Sequence, residues 1–154
     1  VRISLICVGR LGAGPEAALA RAYADRAAAA GRALALFPVE IAEVEPRKSG
    51  MAAEAEAILA RAGDARLIVC DERGRSLSSR DFAARLASLR DDGVRHLALV
   101  IGGADGLDPS LRAAALETLS FGAQTWPHAL ARVMLAEQVY RAATILAGAP
   151  YHRD

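Results

Sequence analysis

Apolar residues along the 154-residue chain gather in short runs separated by alanine-rich or mixed segments, a pattern that predicts strands alternating with helices. Residues 3–8 form a compact apolar run, read as a first strand. Gly12-Ala13-Gly14-Pro15 ends it; Pro15 suits a first helical position, and the alanine-rich stretch to Ala30 is helical by propensity, with Gly31 as its stop. Residues 34–39 read as a second strand, and Pro38 inside it lacks a ladder donor, so an edge position or a bulge is expected. A polar connection over 43–50 leads to a helix from Met51 to Ala62, ended by Gly63-Asp64, and to a short strand over 66–70. Ser78 with Asp81 three positions on resembles a capping box and opens an amphipathic helix through Leu89, with Phe82, Leu86 and Leu89 on one face and Gly93 closing it. Residues 96–101 are the cleanest strand. Asp108 then caps a helix begun by Pro109, residues 118–121 are extended, and residues 122–127 form a loop before the longest helix, 128 to about 147.

This alternation predicts a single-domain α/β fold, a mostly parallel sheet with helices on both faces. At 53% hydrophobic and 24% charged residues the chain is not disordered, and no run approaches the ~18 apolar residues of a membrane span. The first residues alternate and carry Arg2, unlike a signal peptide, so the cytoplasm is the expected compartment. Cys7 and Cys70 end apolar runs without metal-ligand spacing; they read as small buried hydrophobes, and no metal is expected. Net charge is +1, from nineteen basic and eighteen acidic residues. Bulk charge therefore does not hold nucleic acid here, and any RNA contact must come from local clusters or from two subunits together.

Three stretches carry candidate chemistry. Gly12-Ala-Gly14-Pro-Glu-Ala17 formally matches a dinucleotide turn, with Glu40, read as the end of the next strand, posing as the ribose carboxylate. Three residues separate Val8 from Gly12, whereas that turn starts directly at a strand end, so an ordinary turn is favoured over a nucleotide-binding Rossmann-like domain. Gly102-Gly103-Ala104-Asp105-Gly106 follows a strand directly, where parallel α/β sheets bind ligands, and its glycines permit close backbone approach. The third stretch runs from Leu119 through Pro127-His128 into the last helix. Leu130, Val133, Met134, Glu137, Tyr140 and Arg141 share one face of that helix; Leu135, Ala136, Val139, Ala143 and Leu146 share another. A helix apolar on several sides needs cover on several sides, and a subunit interface would supply it. Glu137 and Arg141 read as an i,i+4 ion pair. Tyr151-His152-Arg153 near the end offers an aromatic platform, a near-neutral titrating group and a phosphate clamp. His96 reads as a strand-edge residue, and Arg10, Arg47 and Lys48 either extend an RNA surface or are solvated charge.

Val8-Gly9, Ile101-Gly102-Gly103 with Gly106-Leu107, Leu119-Ser120-Phe121, Thr125, Pro127-His128, Arg132-Val133, Glu137-Gln-Val-Tyr-Arg141-Ala and Pro150-Tyr-His-Arg153 together resemble the RlmH family. These are SPOUT-class methyltransferases that methylate N3 of a pseudouridine in 23S ribosomal RNA. The resemblance implies a parallel α/β sheet whose C-terminal half is tied in a trefoil knot. It implies S-adenosyl-L-methionine as cofactor, bound by backbone at Cys70, Gly102 and Gly103 and by the loop Gly122, Ala123, Gln124, Thr125, Trp126 and Pro127. It also implies a homodimer packed through the C-terminal helices, each site receiving the other subunit's Tyr151, His152 and Arg153 as catalytic or RNA-engaging residues, with 23S rRNA in the ribosome as partner. His152, His128 and Glu137 remain open as the base for the N3 proton. Glu72-Arg73, Ala104 and Trp126 depart from the family pattern. A non-catalytic ribosome-binding factor with the same fold is the other reading.

Overall fold

The computed structural model describes residues 1–154. Strands β1 (Arg2–Val8), β2 (Val39–Val44), β3 (Arg66–Arg75), β4 (His96–Ile101) and β5 (Glu117–Leu119) form one sheet in the order β2-β1-β4-β3-β5. Every neighbouring pair is parallel. Helices α1 (Pro15–Gly31), α3 (Ser79–Asp91) and α5 (His128–Ala147) cover one face; α2 (Met51–Ala62) and α4 (Pro109–Ala114) cover the other. The three layers follow from strand periodicity. In β4, Leu97, Leu99 and Ile101 pack with Phe82, Leu86 and Leu135, while Ala98 and Val100 pack with Ile58 and Leu111. No helix is long and apolar enough to cross a membrane.

Local chemistry fixes several boundaries as anticipated. Pro15 opens α1; the Ser78 hydroxyl accepts the Asp81 N–H at 3.0 Å; the Asp108 carboxylate accepts the Ser110 N–H at 2.9 Å. The second strand departs from expectation. Instead of extending from residue 34, the chain makes a 3-10 turn over Arg32–Leu34, passes through a left-handed Ala35 (φ 58°), and bonds Leu36 N–H to the Gly31 carbonyl at 2.9 Å. This segment closes the end of α1, so pairing starts only after Pro38, whose carbonyl accepts the Ile3 N–H at 2.8 Å. The strand then takes in Glu43 and Val44, expected as polar connection, because they pair with Cys7 and Val8. It is an edge strand, as the proline suggested.

β3 also outruns its expected end at Cys70 and continues to Arg75. Leu119 stands opposite both Cys70 and Arg75, so the residues between them arch out of the ladder. Gly74 makes the arch possible: a Cβ there would lie 2.5 Å from the Leu119 carbonyl carbon and 2.6 Å from that of Thr118. Helix α5 is covered mainly by its own chain. Leu135, Ala136, Val139, Ala142 and Ala143 are buried against α1, α3 and the sheet, and Leu130, near its start, stays exposed. Arg132 is 2% exposed and locks this helix to the opposite end of the sequence, donating to Glu43 Oε1 at 2.8 Å and to the Gly9 carbonyl at 3.0 Å, while its Nε finds no partner.

Candidate functional site

Strands β3, β4 and β5 end at a cavity of about 610 Å³. Its walls are the arch of β3 at residues 70–73 and two connections, residues 101–107 after β4 and the loop from Phe121 to Trp126 after β5. Met51 of α2, Pro109 and Arg112 of α4, and His128 and Ala131 of α5 complete it. The strands' carboxyl ends are where an open parallel sheet leaves room for a ligand.

Four of the lining residues are glycines, Gly102, Gly103, Gly106 and Gly122, where the wall has no side chain. In the glycine connection, the Gly103 carbonyl accepts the Gly106 N–H at 3.1 Å, and Gly106 adopts φ 83°, a conformation that disfavours side chains. The Gly103 N–H points at Glu54 Oε2, 3.3 Å away on α2. Gly102 is close-packed: a Cβ there would sit 2.7 Å from Leu107 Cδ2. In the second loop Gly122 has φ 104°, the Ser120 hydroxyl donates to its carbonyl at 2.9 Å, and its N–H returns to the same hydroxyl at 3.1 Å. Trp126, partly exposed, donates its indole N–H to the Phe121 carbonyl at 3.4 Å.

A few charged groups brace the walls. Arg112 donates to Asp71 Oδ2 and to the Leu107 carbonyl, each at 3.2 Å, tying the β3 arch to the glycine connection; Asp71 Oδ1 accepts the Arg73 N–H at 2.9 Å. Burial pushes the Cys70 thiol up to about 12, with Cys7 adding to the shift, so it meets the cavity as a neutral thiol rather than a nucleophile.

Gly102, Gly103, Gly122, Gln124, Thr125, Trp126 and Cys70 thus line one cavity; Ala123 and Pro127 belong to the same loop without lining it. Tyr151, His152 and Arg153 lie outside it. Tyr151 and His152 belong to a second cluster on the C-terminal half of α5. Glu137 Oε1 accepts Arg141 Nε at 2.9 Å, Arg141 Nη2 at 2.5 Å and the Tyr151 hydroxyl at 3.0 Å. The Tyr151 ring packs tilted at 60° against Tyr140 (centroids 4.7 Å apart) and lies under the Arg141 guanidinium at 4.8 Å. His152 Nδ1 is 3.1 Å from Arg141 Nη1, which can only donate, so Nδ1 accepts and Nε2 carries the hydrogen toward Asp154 Oδ1 at 3.1 Å. Asp154 also accepts from Arg80 Nε and Nη2 at 2.7 and 2.6 Å, and Arg80 foremost holds its carboxyl down to about 2. Arg153 remains exposed.

The dinucleotide-like turn does not assemble a comparable site. Glu40 is the second residue of β2 rather than at its end, and it faces Ser4 and Arg2 near the start of β1, accepting from Arg2 at 2.7 Å. A carboxylate at that level is at the wrong end of the strand for a ribose above Gly12. His96 opens β4 at the same lower end, 2.9 Å from the Ser4 hydroxyl. His128 is the one histidine in the cavity wall. Sequence reasoning did not single out Met51, Glu54, Asp71 or Arg112; the first two precede the glycine connection by about fifty residues, and no local signal marks an acid of an alanine-rich helix as a loop support.

A parallel sheet in this order, with a pocket walled by two glycine-bearing connections, agrees with what comparison of the chain with known proteins finds. A family model described as "Predicted SPOUT methyltransferase" matches residues 1–152, and the chain belongs to the SPOUT methyltransferase family. Within it the chain stands with the RlmH proteins. It is 62% identical over 154 residues to "Ribosomal RNA large subunit methyltransferase H" of Phenylobacterium zucineum (strain HLK1), each chain covered in full. The protein of that name from Ruegeria pomeroyi (strain ATCC 700808 / DSM 15171 / DSS-3) is 59% identical over 156 residues, with 99% of each chain covered. Among solved structures, a probable methyltransferase from Bordetella pertussis Tohama I superposes with TM-score 0.55 at 18% identity, covering 92% of this chain and 96% of that one. A probable methylase family protein from Haemophilus influenzae Rd KW20 gives TM-score 0.56 at 16% identity over 99% of this chain and 70% of that one. At such identities the structural likeness speaks for the fold.

Proposed function

We propose that this methyltransferase acts on 23S ribosomal RNA, transferring a methyl group from S-adenosyl-L-methionine to N3 of a pseudouridine, as a cytoplasmic homodimer working on the assembled ribosome. The observation that carries the reading is the cavity, whose walls are the two glycine-bearing connections at the strands' carboxyl ends. Its volume of about 610 Å³ is that of a small-molecule site, and the glycines in its wall allow a nucleoside to approach the backbone closely. The names of the RlmH relatives supply the RNA substrate class. When bound, S-adenosyl-L-methionine supplies an electrophilic methyl group on a sulfonium.

The chain's own contribution is position and a proton acceptor, since an in-line displacement needs its reactants aligned and little else. Residues 101–107 and 121–126 hold the nucleoside by their backbone. The attacking N3 carries a proton that must leave, and His128 is the histidine the cavity offers for it. In the same chain His152 has both ring nitrogens engaged and Glu137 is held under Arg141 and Tyr151. The tail works across the dimer instead: Tyr151 and His152 are clasped by their own α5, leaving Arg153 free to reach the RNA at the neighbouring subunit's site. With a net charge of +1 one chain has little to hold naked RNA, so a folded ribosomal surface is the substrate. The match to the SPOUT methyltransferase family supports a trefoil knot in the C-terminal half. Incubation with ribosomes or with free 23S RNA and labelled methyl donor tests the reading. Label entering 23S RNA from ribosomes is the expected result; ribosome binding without incorporation marks a non-catalytic factor and overturns it.

A further inference from the structure

Glu54 sits in the first turn of α2, where an acid suits the helix dipole. The dipole does not explain where its carboxylate goes. It is partly buried, forms no ion pair, and its one hydrogen bond is from the Gly103 N–H, 3.3 Å from Oε2. It also occupies the space a side chain at position 103 would need: a Cβ there would meet Oε1 at 2.4 Å and Oε2 at 2.9 Å. Gly103 is therefore held on both polar groups, N–H by Glu54 and carbonyl by the Gly106 N–H at 3.1 Å. Gly103 itself faces the cavity wall, whereas Glu54 does not line the cavity. A carboxylate drawn from water needs a donor in return. Here that donor is the peptide at the tip of the loop that must keep its shape for a nucleoside to fit.

We infer that Glu54 is a positioning residue of the cofactor pocket: through the Gly103 N–H it fixes the glycine connection in the conformation that receives the methyl donor. The inference rests on the donor-binding reading above. It assigns Gly103 a different duty from a direct ligand, since its N–H is spent on Glu54 and its lack of a side chain makes room for the carboxylate. Glutamine keeps an acceptor oxygen of the same reach and removes the charge; alanine removes the acceptor.

Two measurements on the full-length chain test this. Hydrogen exchange at the residue 102–107 backbone, without donor, should quicken about tenfold in Glu54→Ala and stay near wild type in Glu54→Gln. Titration calorimetry with S-adenosyl-L-methionine should show about tenfold weaker binding for Glu54→Ala, largely restored in Glu54→Gln, while the KM for ribosomes is unchanged in both. Unchanged exchange in Glu54→Ala overturns the inference, and so does equal loss of donor affinity in the two variants. A wild-type chain that fails to bind the donor at all sinks the functional reading but leaves the exchange result to decide what Glu54 does to the loop.

Discussion

The pocket at the strands' carboxyl ends and the clasp on α5 are built from different materials. The pocket's two glycine connections are shaped by positive-φ glycines and by Cβ atoms that are missing; the clasp is side chain on side chain, with Glu137, Arg141, Tyr151, His152, Asp154 and Arg80 in one hydrogen-bonded line. A main-chain site tolerates changes in the side chains around it and fails when a side chain is added where none fits. A side-chain clasp fails by truncation and responds to pH. The same chain thus keeps a fixed, glycine-bearing cradle and a separately adjustable arm.

The sharpest way to break the first half of that contrast is Gly74→Ala. The added methyl meets the Thr118 and Leu119 backbone at 2.5–2.6 Å, where no flexible side chain can yield. A loss of about 3 kcal/mol in unfolding free energy is expected, read by denaturant titration, with donor binding weakened as the arch lifts. Next comes Arg153→Ala. Removing one charged clamp should cost about 2 kcal/mol in methylation of ribosomes, roughly thirtyfold in kcat/KM, with donor affinity in calorimetry untouched. If both fall together, the arm and the cradle are not separate. Tyr151→Phe deletes the hydroxyl that donates to Glu137 and should loosen the tail by about 1 kcal/mol, seen as faster exchange of tail amides, with the pocket amides unmoved. The smallest effect is acid release of the tail. Asp154 is depressed from 3.8 to about 2, so its contribution is whole above pH 4 and disappears as pH falls toward 2. Tail amide shifts followed by NMR should titrate with a midpoint near 2 in the wild type and move up toward the ordinary aspartate value in Arg80→Ala.

The layered parallel sheet was legible because β4, buried on both faces, reads as an unbroken apolar run, and because Ser78, Asp108 and Pro15 mark helix starts through local hydrogen bonding. The second strand was misplaced because residues 34–37 are as apolar as a strand, yet Leu36 is buried by a turn that closes α1 rather than by ladder pairing. The arch after Cys70 was missed because its cause, Gly74 pressed against β5, depends on a partner more than forty residues away. The glycine connection and the loop to Trp126 announced themselves by glycines at strand ends. Glu54 and Arg112 did not, since their work is done by reach across the fold.

Arg132 makes the two ends of the chain depend on one another. Its guanidinium is buried where the first strand's exit, the second strand's Glu43 and the last helix meet, and its partner carbonyl at Gly9 is 123 positions away. An arginine sealed from water without those acceptors would cost several kcal/mol. The seat of the final helix is therefore completed by the first third of the chain, which presents both oxygens. A fragment lacking residues 1–44 would lose both acceptors and the α1 surface on which that helix packs, leaving a buried cation uncompensated.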